Sequence, residues 1–138
     1  MIGARVVKLS KEEELNMSEL NISTRQSGNV TIVDLAGRIA LGETNRALHD
    51  SIRQMIDHGN SKLLLNLRNV ILIDSSGLGE LVASFASAER AGGTIKLMNL
   101  SDKFIELITI TKLYTVFDVF DNENDALASF GSASEATA

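Results

Sequence analysis

The run Val70-Ile-Leu-Ile-Asp-Ser-Ser-Gly-Leu-Gly79 decides how the rest of this 138-residue chain is read. It has the form of a buried strand that breaks into a polar, glycine-bearing turn and opens a helix. Lys62-Leu-Leu-Leu-Asn-Leu67 precedes it, so most of 63–73 is branched and apolar, as expected for a strand covered on both faces. Downstream, Leu78, Leu81, Val82 and Phe85 share one helical stripe, while Glu80, Ser84, Ser87 and Arg90 fall off it. Asp74, Ser75 and Ser76 then stand where a strand ends and a helix begins. That is the edge at which open α/β sheets usually meet ligands and partners.

Working outward, Leu20-Asn-Ile-Ser-Thr-Arg-Gln26 alternates, and Ser27-Gly-Asn29 supplies turn chemistry. Val30-Thr-Ile-Val-Asp-Leu35 alternates again, with Val30, Ile32 and Asp34 opposed to Thr31, Val33 and Leu35; together these predict a β-hairpin. Gly37-Arg-Ile-Ala-Leu-Gly-Glu-Thr44 leads into a helix over 44–58, whose Leu48, Ile52, Met55 and Ile56 share a face and which Gly59-Asn60 ends. Beyond the central helix, Gly92-Gly93 is a stop and Thr94-Ile-Lys-Leu-Met98 a strand. Ser101 is a good N-cap for a helix carrying Phe104, Ile105, Leu107 and Ile108. A last strand is expected over 116–120 and a last helix over 122–130. Residues 1–18 read as a loosely ordered leader, 19–131 as one domain and 132–138 as a flexible tail. Strands alternating with helices imply parallel pairing through right-handed crossovers, and the first hairpin adds an antiparallel element.

Composition removes several classes of function. A formal charge of -5 is the wrong sign for a nucleic-acid footprint, which needs a basic stripe. No apolar run approaches a membrane span, and the start lacks a basic-then-apolar signal sequence. With no cysteine, there is no disulfide, thiol nucleophile or Cys-ligated metal, which fits a cytoplasmic protein.

Gly37-x-x-x-x-Gly42-Glu43-Thr44 has phosphate-loop spacing in the right strand-to-helix context. Glu43, however, stands where the phosphate-binding lysine belongs, and a carboxylate there repels phosphate. A tight turn is the better reading. Neither Ser75 nor Ser76 has the flanking glycines of a nucleophile elbow. His49 and His58, the only histidines, are nine residues apart on one helix and point in nearly opposite directions at about 100° per residue. They read as solvated side chains, neither metal ligands nor a catalytic base. A phosphorelay receiver needs an acidic pair at an earlier strand end, where Leu35-Ala-Gly37 stands instead. No catalytic residue, metal or cofactor is therefore expected. The turn itself remains: Ser75 or Ser76 as an N-cap, with Gly77 and Gly79 baring the backbone to an approaching surface.

The run Asn66-Leu-Arg-Asn-Val-Ile-Leu-Ile-Asp-Ser-Ser-Gly-Leu-Gly79 resembles the signature of the STAS domain, and within it the bacterial anti-sigma factor antagonists. The likeness extends over about 20–130, through the Gly37-Arg38 step, Gly92-Gly93 and the closing Val116-Phe-Asp-Val-Phe120. It implies a single-domain α/β fold with a mixed, mostly parallel sheet and helices mainly on one face. It also implies that Ser75 is phosphorylated by a partner anti-sigma factor that is a serine kinase, and reset by a serine phosphatase. The unmodified form would bind the anti-sigma factor and release a sigma factor. Asp74, Ser75, Ser76, Gly77 and Gly79 would form the docking turn, with Gly37, Arg38 and Thr44 beside it. The alternative is a STAS subunit of a larger signalling or lipid-transport assembly without a phospho-switch. Two positions depart from the family pattern. Ala40-Leu-Gly42 lacks the usual aspartate, and Lys112 replaces a glycine that often precedes the leucine, so a different end to the third helix is expected.

Overall fold

The computed structural model describes residues 20–40 and 43–136, without the side chains of 43–45 and 131–136. The expected leader over 1–18 lies outside the described residues.

The hairpin forms from β1 (Leu20–Ser27) and β2 (Val30–Ile39), paired antiparallel with Ser27 opposite Val30. Its two-residue loop is tight because Gly28, at φ 60°, takes the left-handed conformation that the turn demands. Then follow α1 (Glu43–Asp57), β3 (Lys62–Ile73), α2 (Ser75–Arg90), β4 (Thr94–Met98), α3 (Asp102–Ile110), β5 (Val119–Phe120) and α4 (Glu123–Ala136). The sheet order is β1-β2-β3-β4-β5, with every pair after the hairpin parallel. This is the single mixed α/β sheet that the alternation of elements predicts.

Two apolar clusters hold the layers together. On one face, Val33, Leu35, Leu63, Leu65, Ile95 and Leu97 of the sheet meet Leu48, Ile52, Leu81, Phe104 and Ile108 of α1, α2 and α3. On the other, Ile32, Leu64 and Met98 meet Ala126 and Phe130 of α4. Each fully buried aliphatic side chain contributes about 1.5–3 kcal/mol relative to exposure. Because α4 covers the second face, Val30 to Val33 are all buried.

Four expectations need correction. The covering of β3 on both faces holds for Leu63, Leu64, Leu65 and Leu67 but fails beyond, where Ile71 is 64% and Leu72 42% exposed. The cause is geometric: β4 pairing ends at Asn66 opposite Met98, and β3 carries an extra residue opposite Asp34–Ala36 and again opposite Gly37–Arg38. Bulges of this kind bend a strand and re-aim its side chains. Ser84 is buried, not solvated, because α2 packs against α1 as well as the sheet. The last strand is only Val119–Phe120, since 113–115 form a 3-10 turn and Phe117 turns inward to meet Phe85 edge-on at 5.5 Å. The final helix runs on to Ala136, past both the expected end at 130 and the start of the expected tail.

Lys112 adopts φ 61° and ψ 24°, the left-handed conformation in which helices commonly place a glycine just past their end. Thr111 N–H donates to Leu107 O and Lys112 N–H to Thr109 O, so α3 ends as it would with glycine, not differently. The non-glycine residue bears the steric cost.

Candidate functional site

The exposed turn is built by a carboxylate cap. Ile73, the last residue of β3, is paired with Ile39 at the end of β2, and the next residue, Asp74, donates its N–H to Ile39 O at 3.3 Å. Asp74 is extended (φ -106°, ψ -178°), and its Oδ1 accepts the Gly77 N–H at 2.7 Å. Its carbonyl accepts the Leu78 N–H at 2.9 Å, the first bond of α2. Asp74 is thus the N-cap, in place of Ser75 or Ser76. That frees both serines from capping and places them in the first turn of α2, where both are exposed.

The two glycines differ. Gly77 is buried, and a Cβ there would lie 1.9 Å from Ile39 O and 2.6 Å from Ile39 C. Its bareness serves the chain's own close approach of helix to strand end. Gly79 is exposed, and a Cβ there would meet nothing within 4 Å, so its backbone is open to a partner. On the neighbouring strand, Gly37 is half-buried at φ 118°, where an L side chain is strained. Gly37 and the exposed Arg38 pair with Val70 and Leu72 on β3, the approach to the turn. Thr44 lies in the first turn of α1, and its side chain is outside the described residues. Leu41 and Gly42 of the phosphate-loop-like spacing lie outside them too.

His49 is not simply solvated, as its helical position suggested. Its Nδ1 lies 2.9 Å from Glu80 Oε2 and 3.4 Å from Ser84 Oγ, tying α1 to α2. A serine–histidine–acid relay needs one ring nitrogen for each partner. Here both partners meet the same nitrogen, and Ser84 is only 1% exposed, so the trio fastens helices and does not attack a substrate. His58 is exposed and bonds Gln54 O through Nδ1 at 2.7 Å.

A polar network on the α4 face escaped sequence reasoning. Arg25 donates to both oxygens of Asp34, at 2.6 and 3.1 Å, and to Glu123 at 2.9 and 3.2 Å. Asn66 donates to Asp34 at 2.8 Å and accepts from Asn99 at 2.9 Å. The Arg25 hydrogen bonds hold the Asp34 carboxyl below its usual range, against the opposing effect of burial and with help from Asn66. Bonds to Asp34 and Glu123 raise the Arg25 guanidinium in turn. The available signal was Asp34 on an otherwise apolar strand face, with Arg25 at the diagonal position across the hairpin.

Among the described residues no helix is long and apolar enough to cross a membrane. The sequence matches the STAS domain over residues 21–126. It is 32% identical over 100 residues to the anti-sigma-B factor antagonist of Bacillus subtilis (strain 168), covering 72% of this chain and 90% of that protein. It is 26% identical over 113 residues to the anti-sigma F factor antagonist of Paenibacillus polymyxa, with 78% and 92% covered. A crystal structure of a candidate anti-sigma factor antagonist from Thermotoga maritima shares the fold, with a TM-score of 0.72 at 21% identity over 78% of this chain and 92% of that one. The signature run, the five-stranded mixed sheet and the matched span agree, and the chain belongs to the STAS domain family.

Proposed function

We propose that this chain is an anti-sigma factor antagonist: a binding module, not an enzyme, whose docking turn is switched by phosphorylation of Ser75. The observation that carries the reading is the exposed Ser75 hydroxyl at the start of α2, beside a carboxylate that already occupies the Gly77 N–H. Unmodified, the turn binds an anti-sigma factor and releases its sigma factor. That anti-sigma factor is also the kinase, and a serine phosphatase restores the free hydroxyl. Both meet the chain in the cytoplasm.

The switch needs only local electrostatics. Phosphorylation adds a charge of about -1.5 to -2 beside Asp74, leaving the turn near -3 in total. A helix N-terminus favours an anion. Here Asp74 already takes the Gly77 N–H, which leaves one donor fewer in the first turn to neutralise the phosphoryl group before a partner meets it. Desolvating that charge at an interface at a cost of about 3 kcal/mol lowers affinity by more than a hundredfold. The fold is not expected to change, because the group is already exposed.

The test pairs intact-mass analysis with binding. Incubation with the organism's own anti-sigma factor kinase and ATP is expected to add one phosphoryl group to the wild type and none to Ser75→Ala. Ser75→Asp is expected to bind the anti-sigma factor at least tenfold more weakly than Ser75→Ala. Equal affinities, together with no mass change, would overturn the reading.

A further inference from the structure

β3 outlasts its neighbour. Beyond Asn66 it has a strand beside it only on the β2 side, and α3 lies across the open side. Between them runs a groove of about 450 Å³, lined by Ile71, Leu72, Phe104, Leu107 and Ile110, with Lys103 and Glu106 among its polar residues. Ile71 is 64% exposed and Ile110 70%. Single exposed apolar side chains are ordinary, but a contiguous set bordered by charge marks a contact surface.

We propose that this groove is the anchoring half of the docking face and takes an apolar segment, bordered by basic residues, of the anti-sigma factor that reads Ser75. The inference rests on the function proposed above. Continuity supports it: Ile71-Leu-Ile-Asp-Ser75 is one uninterrupted stretch, so the backbone of the groove wall lies between about 7 Å (Ile73) and about 13 Å (Ile71) from that of Ser75. A partner closing over Ser75 therefore covers this wall as well. Charge selects the occupant. The groove itself is edged by one charge of each sign, Lys103 and Glu106, but the adjoining turn carries Asp74 and Glu80 and the chain is -5 overall, which opposes a second copy and favours a partner with basic residues beside its apolar segment. The geometry divides the work between two places. The turn gains charge on phosphorylation, whereas the groove is chemically unchanged, so the anchor acts alike on both forms.

The experiment titrates the full chain with the anti-sigma factor of the same organism, taken as its protein most similar to the Bacillus subtilis anti-sigma-B factor. Wild type, Ile71→Glu, Ile110→Glu and Ile105→Glu are compared by calorimetry, each also in the Ser75→Asp background. Ile105 is 42% exposed but does not line the groove, which makes it the control. The two groove variants are expected to raise Kd at least tenfold, by the same factor in both backgrounds, with Ile105→Glu within twofold of wild type. Circular dichroism melts establish that each variant is folded; Ile71→Ser and Ile110→Ser replace any that is not, with an expected loss of about threefold or more. Binding unchanged in the groove variants, with wild type binding normally, overturns the anchor and leaves the phospho-switch standing. A wild type that does not bind at all overturns the proposed function and this inference with it. Sedimentation that shows a wild-type dimer abolished by Ile110→Glu assigns the groove to a second copy instead.

Discussion

Replacing Gly77 with alanine tests whether the turn at the start of α2 is welded to the sheet. The added Cβ would sit 1.9 Å from Ile39 O and 2.6 Å from Ile39 C, both backbone atoms that cannot rotate away, with Ile39 Cγ2 at 3.0 Å. Relief requires the helix start and the strand end to part by about 1 Å, an overpacking strain of about 1–3 kcal/mol. The same shift loosens two hydrogen bonds, Gly77 N–H to Asp74 Oδ1 and Asp74 N–H to Ile39 O, worth about 1 kcal/mol each. Alanine's better helix propensity returns about 0.5–1 kcal/mol. The net expectation is a loss of about 3 kcal/mol, or roughly 10 °C in Tm for a domain of this size. Gly79→Ala is the internal control: the same substitution two residues on, with nothing within 4 Å, is expected to raise stability by about 0.5–1 kcal/mol. Urea titration and thermal melts by circular dichroism measure both. If Gly77→Ala melts within about 1 °C of wild type, or below it by no more than Gly79→Ala does, the close-approach argument is wrong.

Lys112→Gly is expected to stabilise the chain by about 0.5–1 kcal/mol, because the left-handed backbone at φ 61° no longer carries a Cβ; a lower urea midpoint would contradict this. Arg25→Ala removes the partner that keeps the Asp34 carboxyl low. The stabilisation from that lowered carboxyl is fully present above the unfolded-state value of about 3.9 and disappears as pH falls through the lower folded-state value. The variant should therefore lose up to about 1 kcal/mol at pH 7, a modest amount because both groups are partly exposed, and the gap to wild type should close on acidification. Paired urea titrations at pH 7 and near pH 3 check it, and a gap that widens toward acid refutes it.

The order of elements was readable because most carry their own punctuation: glycines at 28, 59, 92 and 93, Ser101 as a cap, and helical stripes behind each. What local pattern does not encode is who covers whom. Ser84 reads as polar surface until α1 is packed against α2, and Ile71 and Leu72 read as core until β4 stops short of them. The exposed turn at 74–79 was legible in its composition, but its division of labour was not. Asp74 takes the cap, and Gly77 meets Ile39, a contact between residues distant in sequence that only the parallel pairing of β2 with β3 creates. The Arg25–Asp34–Asn66 network is hidden for the same reason, since it spans three strands.

The seating of Gly77 on the end of β2 has a bearing on how an enzyme recognises its target. Many modification sites are floppy tails that thread into a catalytic cleft in extended form. Ser75, the proposed acceptor, is instead carried on a knuckle whose shape is imposed by a strand some thirty-five residues earlier in the chain. Specificity at such a place is a matter of surface fit between two folded bodies, and flanking letters of sequence alone would be a poor password.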